Sequence, residues 1–187
     1  MRVVAGRFGG RKLRAPRGRV TRPTSERVRE ALFSMLGELD GETVLDLFAG
    51  SGALGIEALS RGAAKVVFVE RDRRAVEALS ANLAELGLGE REVEIRPGDA
   101  LSALRAARKR GETYDLVFVD PPYACARALS RELSASLPLL LRAGARVIVE
   151  SDRRAPLGLG LEVRASRRYG DTTITIHSHV TEDSDER

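Results

Sequence analysis

One cysteine, two histidines and no apolar run of eighteen residues bound what this 187-residue chain is able to be. A lone Cys125 permits neither an internal disulfide nor a C-x-x-C zinc site; it suits a reducing compartment and reads as a small buried or loop thiol. His177 and His179 would share one face of a strand, but no carboxylate or cysteine stands beside them, so no metal site is expected. Without a long apolar run, or a charged-then-apolar leader with a cleavage site, the chain is expected to be soluble, cytoplasmic and free of membranes. No repeat or heptad pattern suggests obligate assembly, so a monomer is expected. Lysine is scarce too: arginine supplies 28 of the 31 basic side chains, and a net charge of +4 makes an acidic partner plausible, nucleic acid first.

The charge is uneven. Residues 1–25 carry eight basic side chains and no acid, whereas the terminal TEDSDER holds four acids and reads as a solvated, disordered tail. RVVAGR and RKLRA flank FGG, which predicts a short hairpin turning at Gly9-Gly10, too basic on its faces to join a core. The expected division is a basic arm over 1–22, a main domain over 23–180 and the tail over 181–187.

From residue 24 the pattern becomes helical. Thr24 or Ser25 would cap a helix burying Val28, Ala31, Leu32, Met35, Leu36 and Leu39, with Arg27 and Arg29 on its polar face. Short β-branched runs then alternate with helical stretches. TVLDLF, VVFVE, VEIRPGD, LVFVDPP and ARVIVES read as strands; ALGIEALSRG, DRRAVEALSANLAELG, ALSALRAARKRG and ARALSRELSASLPLLLRAG read as helices. SDRRAPLGLG is short for a crossover helix, so a reduced helix or loop is expected there. GLEVRASRRYG and DTTITIHSHV predict an antiparallel hairpin turning at Gly170-Asp171. The fold class expected is α/β: a mostly parallel sheet with helices on both faces, closed by that hairpin.

Asp46, Glu70, Asp99 and Asp120 each fall at or near the end of one of the first four strands, where an open α/β sheet binds its ligands. Asp72 is assigned to helix capping alone. The stretch Gly50-Ser-Gly-Ala-Leu-Gly55 matches the dinucleotide pattern G-x-G-x-x-G, but Asp46 is poorly placed for an anionic pyrophosphate. S-adenosylmethionine, with a cationic sulfonium and amino group and no phosphate, suits it better. Glu70 would hold ribose hydroxyls in either case, and Asp99 with the backbone of Ala100 would meet an adenine edge. Asp120-Pro-Pro-Tyr123 follows an apolar strand. The Asp120 carboxylate and Pro121 carbonyl would accept both N–H bonds of an exocyclic amine, Pro122 would stiffen the exit, and Tyr123 would stack on the base.

DLFAGSGALGIEALSRGA with FVDPPY resembles class I S-adenosylmethionine-dependent amino-methyltransferases. AGRFGGRKL, RPTSERVREALFSML and YGDT single out resemblance to the RsmD-like small-subunit ribosomal RNA guanine-N2 methyltransferases, spanning Arg2 to Ile176. The resemblance implies a Rossmann-like seven-stranded sheet, S-adenosylmethionine as methyl donor, and a guanine amine of bacterial 16S RNA, free or in an assembling 30S particle, as acceptor. It implies a donor site of Asp46, Phe48, Ala49, Gly50, Ser51, Gly52, Glu70, Arg71, Asp99 and Ala100, with Thr24 close by, and catalysis by Asp120, Pro121, Pro122 and Tyr123. Arg7, Arg11, Lys12, Arg14 and Arg22 are the candidates for gripping RNA. Adenine-N6 or glutamine-N5 methyl transfer, and a nicotinamide oxidoreductase, stay open as alternatives, since D-P-P-Y and the glycine pattern are shared.

Overall fold

A computed structural model describes residues 1–16, 25–122, 126–153 and 156–179. Thr24, Arg22, Tyr123, Cys125 and the acidic tail lie outside the described residues. The chain runs α1 (Glu26–Leu36), β1 (Thr43–Leu47), α2 (Ala53–Ser60), β2 (Lys65–Glu70), α3 (Arg73–Glu85), β3 (Val93–Pro97), α4 (Ala100–Lys109), β4 (Tyr114–Val119), α5 (Ala126–Ser136), β5 (Leu141–Asp152), β6 (Glu162–Tyr169) and β7 (Thr172–Ser178). The strands form one sheet in the order β3-β2-β1-β4-β5-β7-β6, parallel except for β7. The order reverses between β1 and β4, which opens a crevice at their carboxyl ends.

Both faces of the sheet are covered, so the central strands read as unbroken apolar runs. One face carries Val44, Val66, Phe68, Leu116, Phe118 and Ile148 against Leu32 and Phe33 of α1, Ile56 and Leu59 of α2 and Leu79 of α3. The other carries Leu45, Leu47, Val67, Val117 and Val149 against Leu104 of α4 and Leu133 of α5. Gly55 lets α2 lie close to the first face, for a Cβ there would stand 2.3 Å from the buried Phe68 ring and 2.8 Å from Val66. Gly55→Ala is therefore expected to destabilise the fold by about 1–3 kcal/mol through overpacking, although alanine favours a helix. A urea midpoint at or above the native one would refute this.

Among the local expectations some are met and some corrected. On α1, Arg29 and Phe33 are buried while Met35 is exposed, so the apolar stripe is rotated from the one read in the sequence. Ser25 is the cap, accepting from Val28 N. Pro138 lies in a 3-10 turn, Leu137–Leu140, and LRAG continues into β5 instead of ending a helix. The segment from Pro156 to Gly160 is loop, with Leu157 and Leu159 buried against the sheet. His177 is in β7 and buried, whereas His179 lies past its end.

The amino-terminal arm does pair with itself, through Val3 N to Arg11 O and Leu13 N to Met1 O, but by way of a 3-10 turn at Gly6–Phe8. It also joins the core: Val3 and Leu13 are buried. Glu57 of α2, fully buried, accepts from Val4 N (2.7 Å) and Ala5 N (3.1 Å), and Ser60 accepts from Phe8 N (3.0 Å). Arg29 donates to Arg2 O.

Candidate active site

The turn after β1 is built for close approach by a ligand. Phe48 has φ 65°, a left-handed conformation costly for a side chain of its size, and Gly50 has φ 57° with open space where a Cβ would stand. Two of the backbone donors near the start of α2 are already taken by carboxylates. Glu70 accepts from Gly50 N at 2.8 Å and, with its other oxygen, from Asp72 N at 2.7 Å. Asp46 accepts from Gly55 N at 2.9 Å. A pyrophosphate would find negative charge where it needs N–H groups.

Asp46, one residue before the end of β1, is buried. Loss of water raises its carboxyl from an ordinary 3.8 to about 7; the Gly55 N–H opposes this and the charge of Glu70 reinforces it. Ala49 and Ser51 are buried beneath the loop, and Asn82 of α3 donates to Ser51 O at 3.0 Å. The same Asn82 side chain accepts from Arg14 N and donates to Arg14 O, so one residue braces the turn after β1 and the arm together. At the end of β2, Arg71 is exposed beside Glu70. Beyond β3, Asp99 is exposed and caps α4, accepting from Ser102 N at 3.0 Å, with Ala100 buried behind it. Asp72 caps α3, as expected.

Asp120 follows Val119, the last residue of β4, and is half-buried; Pro121 is buried and Pro122 exposed. Val119 pairs with Val149, which makes Glu150 the neighbour of Asp120 on β5. By strand alternation Asp46, Asp120 and Glu150 share the face that holds Val44, Phe118 and Ile148. Burial, then repulsion from Glu150 and Asp46, holds the Asp120 carboxyl well above the usual range. Glu150 is buried and was missed in the sequence, where it looks like the end of an apolar run. Its signal was there: in ARVIVES it alternates in phase with Ile148, and a charge so placed inside a central strand faces either a partner or a crevice.

The cations expected to grip RNA are mostly engaged within the chain. Arg7 pairs with Glu92, Arg14 with Glu85, and Arg11 donates to the backbone of Glu85; Lys12 is exposed. No helix among the described residues is long and apolar enough to cross a membrane.

Known proteins share this arrangement. The sequence matches the family described as Conserved hypothetical protein 95 over residues 1–178. It is similar to the Bacillus subtilis protein named "Putative rRNA methyltransferase YlbH", at 40% identity over 186 residues covering 95% of this chain and 98% of that protein. The Escherichia coli protein named "Ribosomal RNA small subunit methyltransferase D" is 44% identical over 124 residues, which cover 66% of this chain and 60% of that protein. A solved Escherichia coli structure described as "Putative methyltransferase yhhF" has 34% identity and a TM-score of 0.80, covering 97% of this chain and 99% of that one. On a match over nearly its whole length, and with the Rossmann-like sheet of class I methyltransferases, the chain belongs to the Conserved hypothetical protein 95 family.

Proposed function

We propose that the protein transfers a methyl group from S-adenosylmethionine to the exocyclic N2 amine of a guanine in small-subunit ribosomal RNA. The observation that carries the guanine reading is the pair of neighbouring carboxylates, Asp120 and Glu150, on one face at the crevice. The Watson–Crick edge of guanine offers two adjacent donors, the N2 amine and N1–H, whereas adenine offers one donor and a lone pair. A second carboxylate favours the first edge and repels the second.

The residues of the loop fit the donor. Asp46, with its raised carboxyl, gains by ionising next to a cationic amino group, Glu70 is held where ribose hydroxyls can reach its edge, and Gly50 leaves the approach open. Phe48, Ala49, Ser51 and Gly52 shape the same turn, while Arg71, Asp99 and Ala100 flank the adenosine end. Thr24 and Tyr123, outside the described residues, are assigned by their neighbours in the chain to the donor site and to stacking on the base. The bound donor supplies an electrophilic methyl on a sulfonium.

Asp120 and the Pro121 carbonyl accept the amine's N–H bonds and turn its lone pair toward that methyl. S-adenosylmethionine held in this turn would supply the methyl and leave as S-adenosylhomocysteine, and the Asp120 carboxylate would offset the positive charge that N2 acquires. The new ammonium is acidic and gives its proton to Asp120 or to water. Holding amine and methyl in line lowers the barrier by up to roughly 7–11 kcal/mol.

Incubation with labelled S-adenosylmethionine and under-modified small ribosomal subunits, then nucleoside mass spectrometry, tests the reading. N2-methylguanosine confined to the small-subunit RNA is the expected product. Label in N6-methyladenosine, or in glutamine of a protein extract, would overturn the guanine assignment.

A further inference from the structure

Arg2, Arg7 and Arg14 of the arm pair with acids of the same chain, whereas among the described residues another set of arginines does not. Arg164, Arg167 and Arg168 lie on β6, all exposed, and none forms an ion pair among the described residues, where Arg167 donates to the backbone oxygen of Ser166. β6 is the last strand of the sheet, hydrogen-bonded to β7 alone. It runs parallel to β5, so its carboxyl end lies at the same end of the sheet as the crevice. Along that end the register forms a single row: Asp120 beside Glu150, Glu150 opposite Ile174, Ile174 opposite Arg167.

Cross-strand partners share a face, so Arg167 projects on the same side as Asp120, three strand spacings or roughly 14 Å away. Arg168, paired with Thr173, projects on the other side. Arg164 falls at the irregularity between Val163 and Ala165, where a bulge re-aims the side chain. The nearby acids are Glu162 at the far end of the strand, Asp171 at the turn and, on β5, Glu150 in the row of Arg167 and Asp152 opposite Thr172; among the described residues no ion pair joins any of them to a β6 arginine. Three exposed guanidiniums on the outer strand of the sheet, without an ion pair among the described residues and one of them in line with Asp120, match a polyanion better than a protein or a small acid.

We propose that the β6 edge, through Arg164, Arg167 and Arg168, is a phosphate-binding surface for the RNA strand that delivers its base to Asp120. This rests on the ribosomal RNA reading above for the identity of the polyanion. Arginines on the row and on both sides of the edge fix the register of the backbone, while the crevice reads the base. The alternative role for such residues is to block edge-to-edge pairing with another sheet.

Equilibrium binding of deproteinised 16S ribosomal RNA, measured against salt for the native protein and for the triple variant Arg164→Ala/Arg167→Ala/Arg168→Ala, separates these roles. The expected result is weaker binding and a log–log salt slope shallower by roughly one per arginine, about 3 in all. KM for small subunits should rise with kcat little changed, and S-adenosylhomocysteine affinity should stay native, which also reports an intact fold. The triple Arg→Lys variant should keep most of the salt slope. Unchanged RNA affinity and slope in the alanine variant would overturn the proposal, even if the native protein makes N2-methylguanosine. A lost slope would sustain it even if methylation fell on another base.

Discussion

Asp120→Asn is expected to lower kcat by about 10²–10³-fold, the scale of removing one group that stabilises developing charge, while leaving S-adenosylhomocysteine affinity within a few-fold of native. The amide keeps the size of the carboxyl and one acceptor oxygen, but it does not offset the charge arising on N2. The pH profile supplies a second reading. Because burial and the repulsion of Glu150 and Asp46 hold the Asp120 carboxyl up, the native enzyme should gain kcat as pH rises through that elevated value. The asparagine variant should lack this limb. Single-turnover rates of methyl transfer at several pH values decide the matter. A variant as active as native, or one that keeps the rising limb, would remove Asp120 from the chemistry.

Asp46→Asn is expected to do two opposite things. In the native fold the carboxyl holds its proton to about 7 against an ordinary 3.8. Between those values the unfolded chain has released the proton and the folded one has not. The contribution of Asp46 to stability is thus complete below 3.8, falls as pH climbs toward 7, and is gone above it, in total on the order of 4 kcal/mol. An asparagine accepts the Gly55 N–H without carrying that charge. The ligand-free variant should therefore be more stable than native in urea at pH 8.5, with the difference closing toward pH 4. Binding should move the other way. Loss of an ionic partner for the amino group of S-adenosylmethionine should weaken affinity by about ten- to a hundredfold, and native affinity should improve as pH rises through 7. Equal urea midpoints at both pH values would show that Asp46 is not held neutral in the fold.

Much of this site could be read from residue order because parallel sheets announce themselves. A buried strand of β-branched residues followed by a turn puts its next polar residue at the crevice, which is how Asp46, Glu70 and Asp120 were found. Faces were harder. Glu150 belongs to a strand whose alternation is masked, since both of its sides are covered and both are apolar. Arg29 reads as an ordinary helix-surface charge, yet the arm lies over it and over Glu57, and both are buried. Helical periodicity has no means of registering a cover supplied from fifty residues away. The same gap explains Val3 and Leu13: eight basic neighbours hid two core residues. The helix read over ARALSRELSASLPLLLRAG stops short at Pro138, whose surrounding leucines serve a 3-10 turn and the entry to β5.

The docking of the arm also sets an order of events during synthesis. The arm pairs with itself within thirteen residues, but the N–H groups of Val4, Ala5 and Phe8 wait for Glu57 and Ser60 of α2, and that of Arg14 waits for Asn82 of α3. The arm is therefore fixed only after the later segments that hold it, α2 and α3, have been made. Until α3 follows, both the turn after β1 and the arm lack the Asn82 side chain that braces them.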